Sequence, residues 1–369
     1  MPSKVAIVAG TRPEIIKTSP LIKELESRGA DYFLIYTGQH YNYEMEKVFF
    51  EQLSLPTPRY NLGIRSSAPF LQGEHTGRML IDIEKIILDE KPGIVLTQGD
   101  TNSTLAGSLT TRKLATTAPF TNINVMLGHV EAGLRSYDRT MPEEANRIIA
   151  DHLSDFLFAP TQRAADNMLK EGIHRSRISV TGNTIVDALN DAVKTSSRNE
   201  ILDKLGLDRG YVLATFHRQE NADVREKFSN VMGAFGRVHN KFGKPVVYPV
   251  HPRSRKLMER FDIVPPEGVV LIDPIGFMEF LKLEQEASLI LTDSGGVQEE
   301  SCVLRVPCVT LRENTERPET IDVGANILAG TDPDKIVECA DIMMERKRNW
   351  ENPFGDGKSS KKIVDIILR

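Results

Sequence analysis

Short runs of β-branched and aliphatic residues alternate with longer segments of helical period from one end of the chain to the other. That rhythm predicts βαβ units built on parallel sheets. In the first half the runs are Val5 to Ala9, Tyr32 to Tyr36, Ile94 to Thr97, Asn124 to Gly128 and Phe156 to Ala159, with helices such as Ile15 to Glu26 and His75 to Asp89 between them. The rhythm restarts at Tyr211 to Thr215 and continues through Val246 to Val250, Val269 to Ile272, Leu289 to Thr292 and Cys308 to Thr310. Two doubly wound α/β domains are expected, with no internal sequence repeat.

The stretch Ile178 to Arg209 carries Gly182-Asn183 and a polar run from Thr195 to Asn199, and it reads as the passage between the halves. The expected division is a first domain over residues 1–175 and a second over 176–356. Beyond the helix breaker Asn352-Pro353-Phe354-Gly355-Asp356-Gly357 lies an amphipathic tail, Ser359 to Leu368, whose stripe of Ile363, Ile366 and Ile367 needs cover. Residues 357–369 are therefore expected to pack back on the first domain.

A length of 369 residues suits two domains. With 46 Lys and Arg against 51 Asp and Glu, the net charge of −5 argues against a general nucleic-acid or membrane-surface binder, so an anionic ligand would need a local cationic site. Cys302, Cys308 and Cys339 show neither a disulfide framework nor zinc-ligand spacing. With no signal-peptide pattern and no apolar run near 18 residues, a cytoplasmic protein outside the membrane is expected.

Ligands of doubly wound sheets gather at the carboxyl ends of the strands, so the post-strand loops are where chemistry is sought. In Ala9-Gly10-Thr11-Arg12-Pro13-Glu14, Gly10 permits a tight turn, Pro13 suits the first helical position, and Arg12 beside a helix N-terminus favours a phosphate. A plain strand-to-helix turn is the simpler alternative. Neither G-x-G-x-x-G nor a P-loop occurs, which counts against a nicotinamide cofactor and against nucleotide hydrolysis. Asp293-Ser294-Gly295-Gly296-Val297-Gln298-Glu299-Glu300 opens a helix with backbone that a diphosphate can approach, and Glu300 one turn on can accept both hydroxyls of a ribose; a plain N-cap is the alternative. Phe280 can stack near a base or simply belong to the core. The charged loop Arg312 to Glu319 either walls a nucleotide or is a solvated turn.

The densest charge pattern runs through Gln98-Gly99-Asp100-Thr101-Asn102, His129-Val130-Glu131-Ala132-Gly133-Leu134-Arg135 and Pro142-Glu143-Glu144-Ala145-Asn146-Arg147. Acids converging in one site have their pKa values pushed apart, which lets one act as base and another as acid. Ion pairing, Glu131 with Arg135 for example, is the competing reading. After another strand, His217 is placed to donate to a leaving phosphate, although a lone histidine is often structural.

GTRPEIIK at 10–17, GDT at 99–101, HVEAGLRS at 129–136, PEEANR at 142–147, TFHRQEN at 215–221, DSGGVQEE at 293–300 and TERPE at 315–319 occur in that order. Together they closely resemble the non-hydrolysing UDP-N-acetylglucosamine 2-epimerase family, over nearly the whole chain. The resemblance implies a GT-B fold of two Rossmann-like domains facing a central cleft, and reversible C2 epimerisation of UDP-N-acetylglucosamine to UDP-N-acetylmannosamine by elimination and re-addition of UDP. It implies Asp100, Glu131, Glu143 and His217 as catalytic residues, and Arg12, Lys17, Arg135, Phe280, Ser294, Gly295, Gly296, Glu300 and Arg317 as substrate-binding ones. No cofactor and no metal are implied, the ligands are UDP-N-acetylglucosamine and UDP, and a homodimer in the cytoplasm is expected. The spacer before PEE and the run His251-Pro252-Arg253-Ser254 depart from the bacterial pattern and argue against a bacterial-type regulatory site near Gln39, His40 and His251. Alternatives are a GT-B glycosyltransferase, the hydrolysing relative that releases free sugar, a non-enzymatic sensor, and an epimerase of a diacetamido-uronic acid carried on UDP.

Overall fold

The computed structural model describes residues 4–38, 50–64, 71–196 and 200–369. Gln39 and His40, named for the regulatory site, lie outside them. The chain divides into two compact units, residues 1–190 with 354–369, and residues 191–353.

The first unit holds seven parallel strands: β1 (Val5–Ala9), β2 (Tyr32–Tyr36), β3 (Tyr60–Asn61), β4 (Ile94–Gln98), β5 (Met126–Val130), β6 (Phe156–Ala159) and β7 (Ile178–Val180), in the order β3-β2-β1-β4-β5-β6-β7. β1 reads VAIVA and is buried throughout, as a strand covered by helices on both faces must be. Its helices include α1 (Arg12–Ser27), α2 (Gln72–Glu90), α3 (Asn102–Thr116), α4 (Pro142–Leu153), α5 (Gln162–Lys170) and α6 (Thr184–Ser196). One face of the sheet buries Val8, Ile35 and Val95 beneath Ile83, Ile87 and Leu114 of α2 and α3.

The stretch expected to be a passage is structured. Ile178–Val180 pairs with β6 and completes the first sheet, α6 follows it, and the first unit runs on to residue 190, beyond the expected 175 and short of the polar run. At the far end the helix Ser359–Ile367 packs on α1. The Asp187 carboxylate accepts the N–H groups of Ser359 and Ser360, at 3.1 and 2.9 Å, and so caps the start of that helix from 172 residues away.

The second unit holds β8 (Val212–Thr215), β9 (Val246–Pro249), β10 (Val269–Ile272), β11 (Leu289–Thr292), β12 (Cys308–Thr310) and β13 (Asn326–Leu328), in the order β10-β9-β8-β11-β12-β13. Both sheets therefore run 3-2-1-4-5-6 in their own numbering, and the first adds one strand. This is the Rossmann order, whose direction reverses between its first and fourth strands. Those switch points lie between β1 and β4 and between β8 and β11. Among the described residues no helix is long and apolar enough to cross a membrane.

Candidate active site

The polar residues of the first unit collect where its strands end. Thr11 caps α1 and Glu14 reaches back to it, the reciprocal arrangement that a Thr-x-x-Glu spacing produces. Glu14 Oε2 accepts the N–H groups of Gly10 (2.9 Å) and Thr11 (2.8 Å), while Oε1 accepts the Thr101 hydroxyl at 2.7 Å. Glu14 thus ties the loop after β1 to the loop after β4, across the switch point. Burial pushes its carboxyl up to about 7, against the pull of those hydrogen bonds. Gly10 is required for space: a Cβ there would collide with Thr37 Oγ1 and Ser103 Oγ. Pro13 takes the second helical position behind a half-buried Arg12.

Glu131 follows β5 directly and has φ of +67°, the left-handed region that costs a side-chain-bearing residue about 1–2 kcal/mol. What holds it there is a clamp. Lys17 Nζ lies 2.8 and 2.6 Å from its two carboxylate oxygens, and Gln98 Nε2 donates to Oε2 at 2.6 Å. All three side chains are buried. The ion pair anticipated between Glu131 and Arg135 does not form. Lys17, which the resemblance implies at the substrate, takes the place of Arg135 at this carboxylate.

One strand over, Gln98 at the end of β4 is in register with Val130, so Asp100 and Glu131 leave adjacent strand ends. Asp100 is half-buried, is held by Arg147 Nη1 of α4, and has its carbonyl capped by Asn146. Arg147 is buried and also grips Glu144, which accepts the Ser136 and Tyr137 N–H groups at 3.1 and 2.9 Å. Burial opposes ionisation of Glu144, yet Arg147 and these donors hold its carboxyl below the usual range. Glu143, half-buried in the first turn of α4, is the neighbour on a different face. The elements that carry Asp100, Glu131 and Glu143 therefore meet at one end of the sheet.

Behind them runs a buried chain of charge. His129 Nε2 meets the Gly99 carbonyl at 2.8 Å and its Nδ1 meets Asp151 at 2.7 Å. Arg135 joins Asp151 to Glu171, each at 2.7 Å. Its side chain is fully enclosed, and despite burial the two carboxylates raise its guanidinium above its ordinary value. Arg135 thus braces the inside of the unit.

In the second unit, Asp293 mirrors Glu14. It follows β11 and accepts the N–H groups of His217 (3.0 Å) and Arg218 (2.8 Å) from the loop after β8. His217 Nδ1 stands 3.2 Å from Asp293 Oδ1, with its ring exposed. Burial would raise the Asp293 carboxyl, but His217 and the two N–H groups hold it below its usual value. Ser294 then caps α7, here the helix Gly295–Leu304. A Cβ on Gly295 would sit 2.6 Å from Glu316 Oε1, and Gly296 borders open space, so the turn presents bare backbone.

Arg317, expected at the substrate, is buried against Glu299 and Glu316. Arg218 and Arg312 also pair with Glu316, at 3.2 and 3.0 Å. Phe280 lies half-buried with one side against the core of this unit, on the helix Phe277–Glu286 that also carries Glu284. Glu300 is half-buried on α7. His251, exposed, caps the helix Pro252–Phe261 through Nδ1, which accepts the Arg253 N–H. Burial pushes the Cys302 and Cys308 thiols up to about 12, so neither is a nucleophile.

Two doubly wound domains, each with a buried carboxylate bracing the switch point of its own sheet, define a Rossmann-like protein of the GT-B type. A family model described as UDP-N-acetylglucosamine 2-epimerase matches residues 23–368, and the chain belongs to that family. It is 50% identical over 373 residues to the UDP-N-acetylglucosamine 2-epimerase of Methanococcus maripaludis, covering 99% of this chain and 98% of that one. The crystal structure of the Methanocaldococcus jannaschii UDP-GlcNAc 2-epimerase in complex with UDP-GlcNAc and UDP superposes with a TM-score of 0.91 at 49% identity, covering 99% of both chains. A UDP-2,3-diacetamido-2,3-dideoxy-D-glucuronate 2-epimerase from Pseudomonas aeruginosa is 39% identical over 99% of each chain.

Proposed function

We propose that this chain interconverts UDP-N-acetylglucosamine and UDP-N-acetylmannosamine at C2, by eliminating UDP to a 2-acetamidoglucal and adding it back. The observation that carries the reading is the Glu131 clamp: a carboxylate held ionised on strained backbone, one strand from Asp100, in a chain half identical to a curated UDP-N-acetylglucosamine 2-epimerase. Residues held on strained backbone by several partners cluster at functional sites.

The C2 proton of an N-acetylhexosamine has no neighbouring carbonyl to acidify it. Departure of UDP supplies the acidity. The C1–O bond breaks with its electron pair going to the diphosphate, an oxocarbenium-like centre develops, and a carboxylate takes the C2 proton as the C1–C2 double bond forms. A proton returned to the opposite face of C2, with re-addition of UDP to C1, gives the epimer. Asp100, Glu131 and Glu143 carry these proton transfers; Glu131, ionised against Lys17, begins able to accept one. Arg12, His217 and the backbone of the Ser294-Gly295-Gly296 turn stabilise the leaving diphosphate, Phe280 lies by the uracil, and Glu300 accepts the ribose hydroxyls.

The test is NMR of the purified protein with UDP-N-acetylglucosamine in D₂O, without added nicotinamide. Deuterium entering C2 while a UDP-N-acetylmannosamine signal grows supports the reading. Free N-acetylmannosamine as the first product would assign the hydrolysing reaction, and absence of C2 exchange would remove epimerisation. The diacetamido-uronate relative makes that UDP-sugar the comparison substrate, and a higher kcat/KM for it would change the substrate assignment.

A further inference from the structure

The helix Phe277–Glu286 packs on α7, and between them Glu284 is completely buried. Neither of its carboxylate oxygens meets a hydrogen-bond donor. The group that faces it is another carboxyl, that of Glu300. Two ionised carboxylates offer only acceptors to each other, so a contact between them holds together only if one keeps its proton and donates it. Glu300 is half-buried and reaches solvent, whereas Glu284 is sealed, so the proton belongs on Glu284.

We propose that Glu284 is a positioning residue: a neutral carboxylic acid that donates its single O–H to Glu300 and fixes that carboxylate to accept two vicinal hydroxyls of a nucleotide ribose. This rests on the assignment of Glu300 to the ribose. A carboxylate has about four acceptor directions. One is taken by Glu284, which sets the rotation of the group that the diol meets. Without the donor Glu284 no longer sets that rotation, and the cost of fixing it falls on nucleotide binding.

The other titratable groups near Glu284 leave this balance intact. Tyr211 commits its hydroxyl to the Leu283 carbonyl at 2.6 Å, and Cys308 is a buried thiol. Glu286, on the same helix, is matched by Lys282 and Arg209. Glu300 is thus the anion that Glu284 must accommodate, and burial together with that charge keeps the Glu284 proton on well above the ordinary carboxylate range.

The experiment is calorimetric titration of the full chain with UDP and with 2′-deoxy-UDP, for the wild type, Glu284→Gln and Glu284→Leu. The wild type is expected to prefer UDP. Glu284→Gln, whose amide N–H can still donate, keeps that preference, and Glu284→Leu narrows it by roughly tenfold, the worth of about one hydrogen bond to a charged group. If the wild type does not discriminate, the ribose assignment of Glu300 fails and the proposal falls with it. If the wild type discriminates and Glu284→Leu does so equally, only the role of Glu284 is overturned, as it is if Glu284→Gln behaves like Glu284→Leu. Should Glu284→Leu not fold, the ratio of UDP affinities between Glu284→Gln and the wild type decides. It should rise with pH as Glu284 loses its proton, with nucleotide titrations cancelling in the ratio, and a flat ratio overturns the proposal.

Discussion

Lys17 and Glu131 lie 114 residues apart and meet inside the first unit at 2.6 and 2.8 Å, so their mutual dependence can be measured directly. At that separation and an effective dielectric of about 20 the Coulomb attraction is about 6 kcal/mol, most of it offset by the desolvation of two buried ions. Removing one partner leaves the other charge stranded. Lys17→Met should therefore cost about 3–5 kcal/mol, and Glu131→Gln a similar amount. The double variant strands neither charge and should cost no more than either single variant, giving a coupling energy of at least about 3–5 kcal/mol. For a domain of this size each kcal/mol moves Tm by about 2–4 °C, so either single variant should melt roughly 10 °C lower. Scanning calorimetry with far-UV circular dichroism is the assay, because the single tryptophan, Trp350, lies in the second unit and would report on the wrong transition. C2–H exchange read on the same samples should fall by about 10²–10⁴-fold in Glu131→Gln while UDP still binds. Additive single effects, or exchange in Glu131→Gln within tenfold of the wild type, would refute the clamp as the poised proton acceptor.

Glu14 predicts a pH dependence. Its carboxyl is raised from 4.5 to about 7, so its contribution to stability is complete below about 4.5 and is lost as pH rises through about 7. That is worth about 3 kcal/mol, and Glu14→Gln should lose this slope; calorimetry between pH 5 and 8 compares the two. Gly10→Ala forces the loop off Thr37 and Ser103 and should lower turnover with a loss of several degrees in Tm. A variant with unchanged melting would contradict that packing. The adjacent acids of α4 should separate cleanly: Glu144→Gln loses the Arg147 pair and about 2–3 kcal/mol, whereas Glu143→Gln melts like the wild type and loses C2 exchange.

The alternation of apolar runs was enough to locate most strands, because strands buried on both faces are short, continuous and bounded by polar turns. It failed where that logic is weak. β7 is three residues long with a serine at its centre, and β13 is equally short. β5 starts two residues late because Ile123 and Val125 are buried outside the ladder. Of the site, the Thr-x-x-Glu spacing makes Glu14 legible as a helix cap but carries no sign of its reach to the loop after β4. The choice between Lys17 and Arg135 as partner of Glu131 was not legible at all. It depends on which helix lies over the end of β5, and local spacing points to Arg135 instead of Lys17. The same holds for Glu143 and Glu144, whose roles are set by the face of α4 that Arg147 occupies.

One device recurs at both switch points with opposite electrostatics. Glu14 takes backbone and hydroxyl donors from its two loops, and burial raises its carboxyl to about 7, leaving it about half protonated near neutral pH. Asp293 does the same bracing but sits beside His217 and stays ionised. A fixed negative charge next to the Ser294 turn would repel a diphosphate unless its neighbour offsets it. In the proposed mechanism His217 therefore has two tasks, donating to the leaving group and screening Asp293. His217→Gln should weaken UDP binding about tenfold, the equivalent of about 1.4 kcal/mol. Adding Asp293→Asn, which still accepts the two N–H groups through its carbonyl, should restore part of that affinity without restoring turnover. Titration calorimetry separates the two tasks, and a double variant that binds UDP no more tightly than His217→Gln would show that Asp293 exerts no repulsion for His217 to offset.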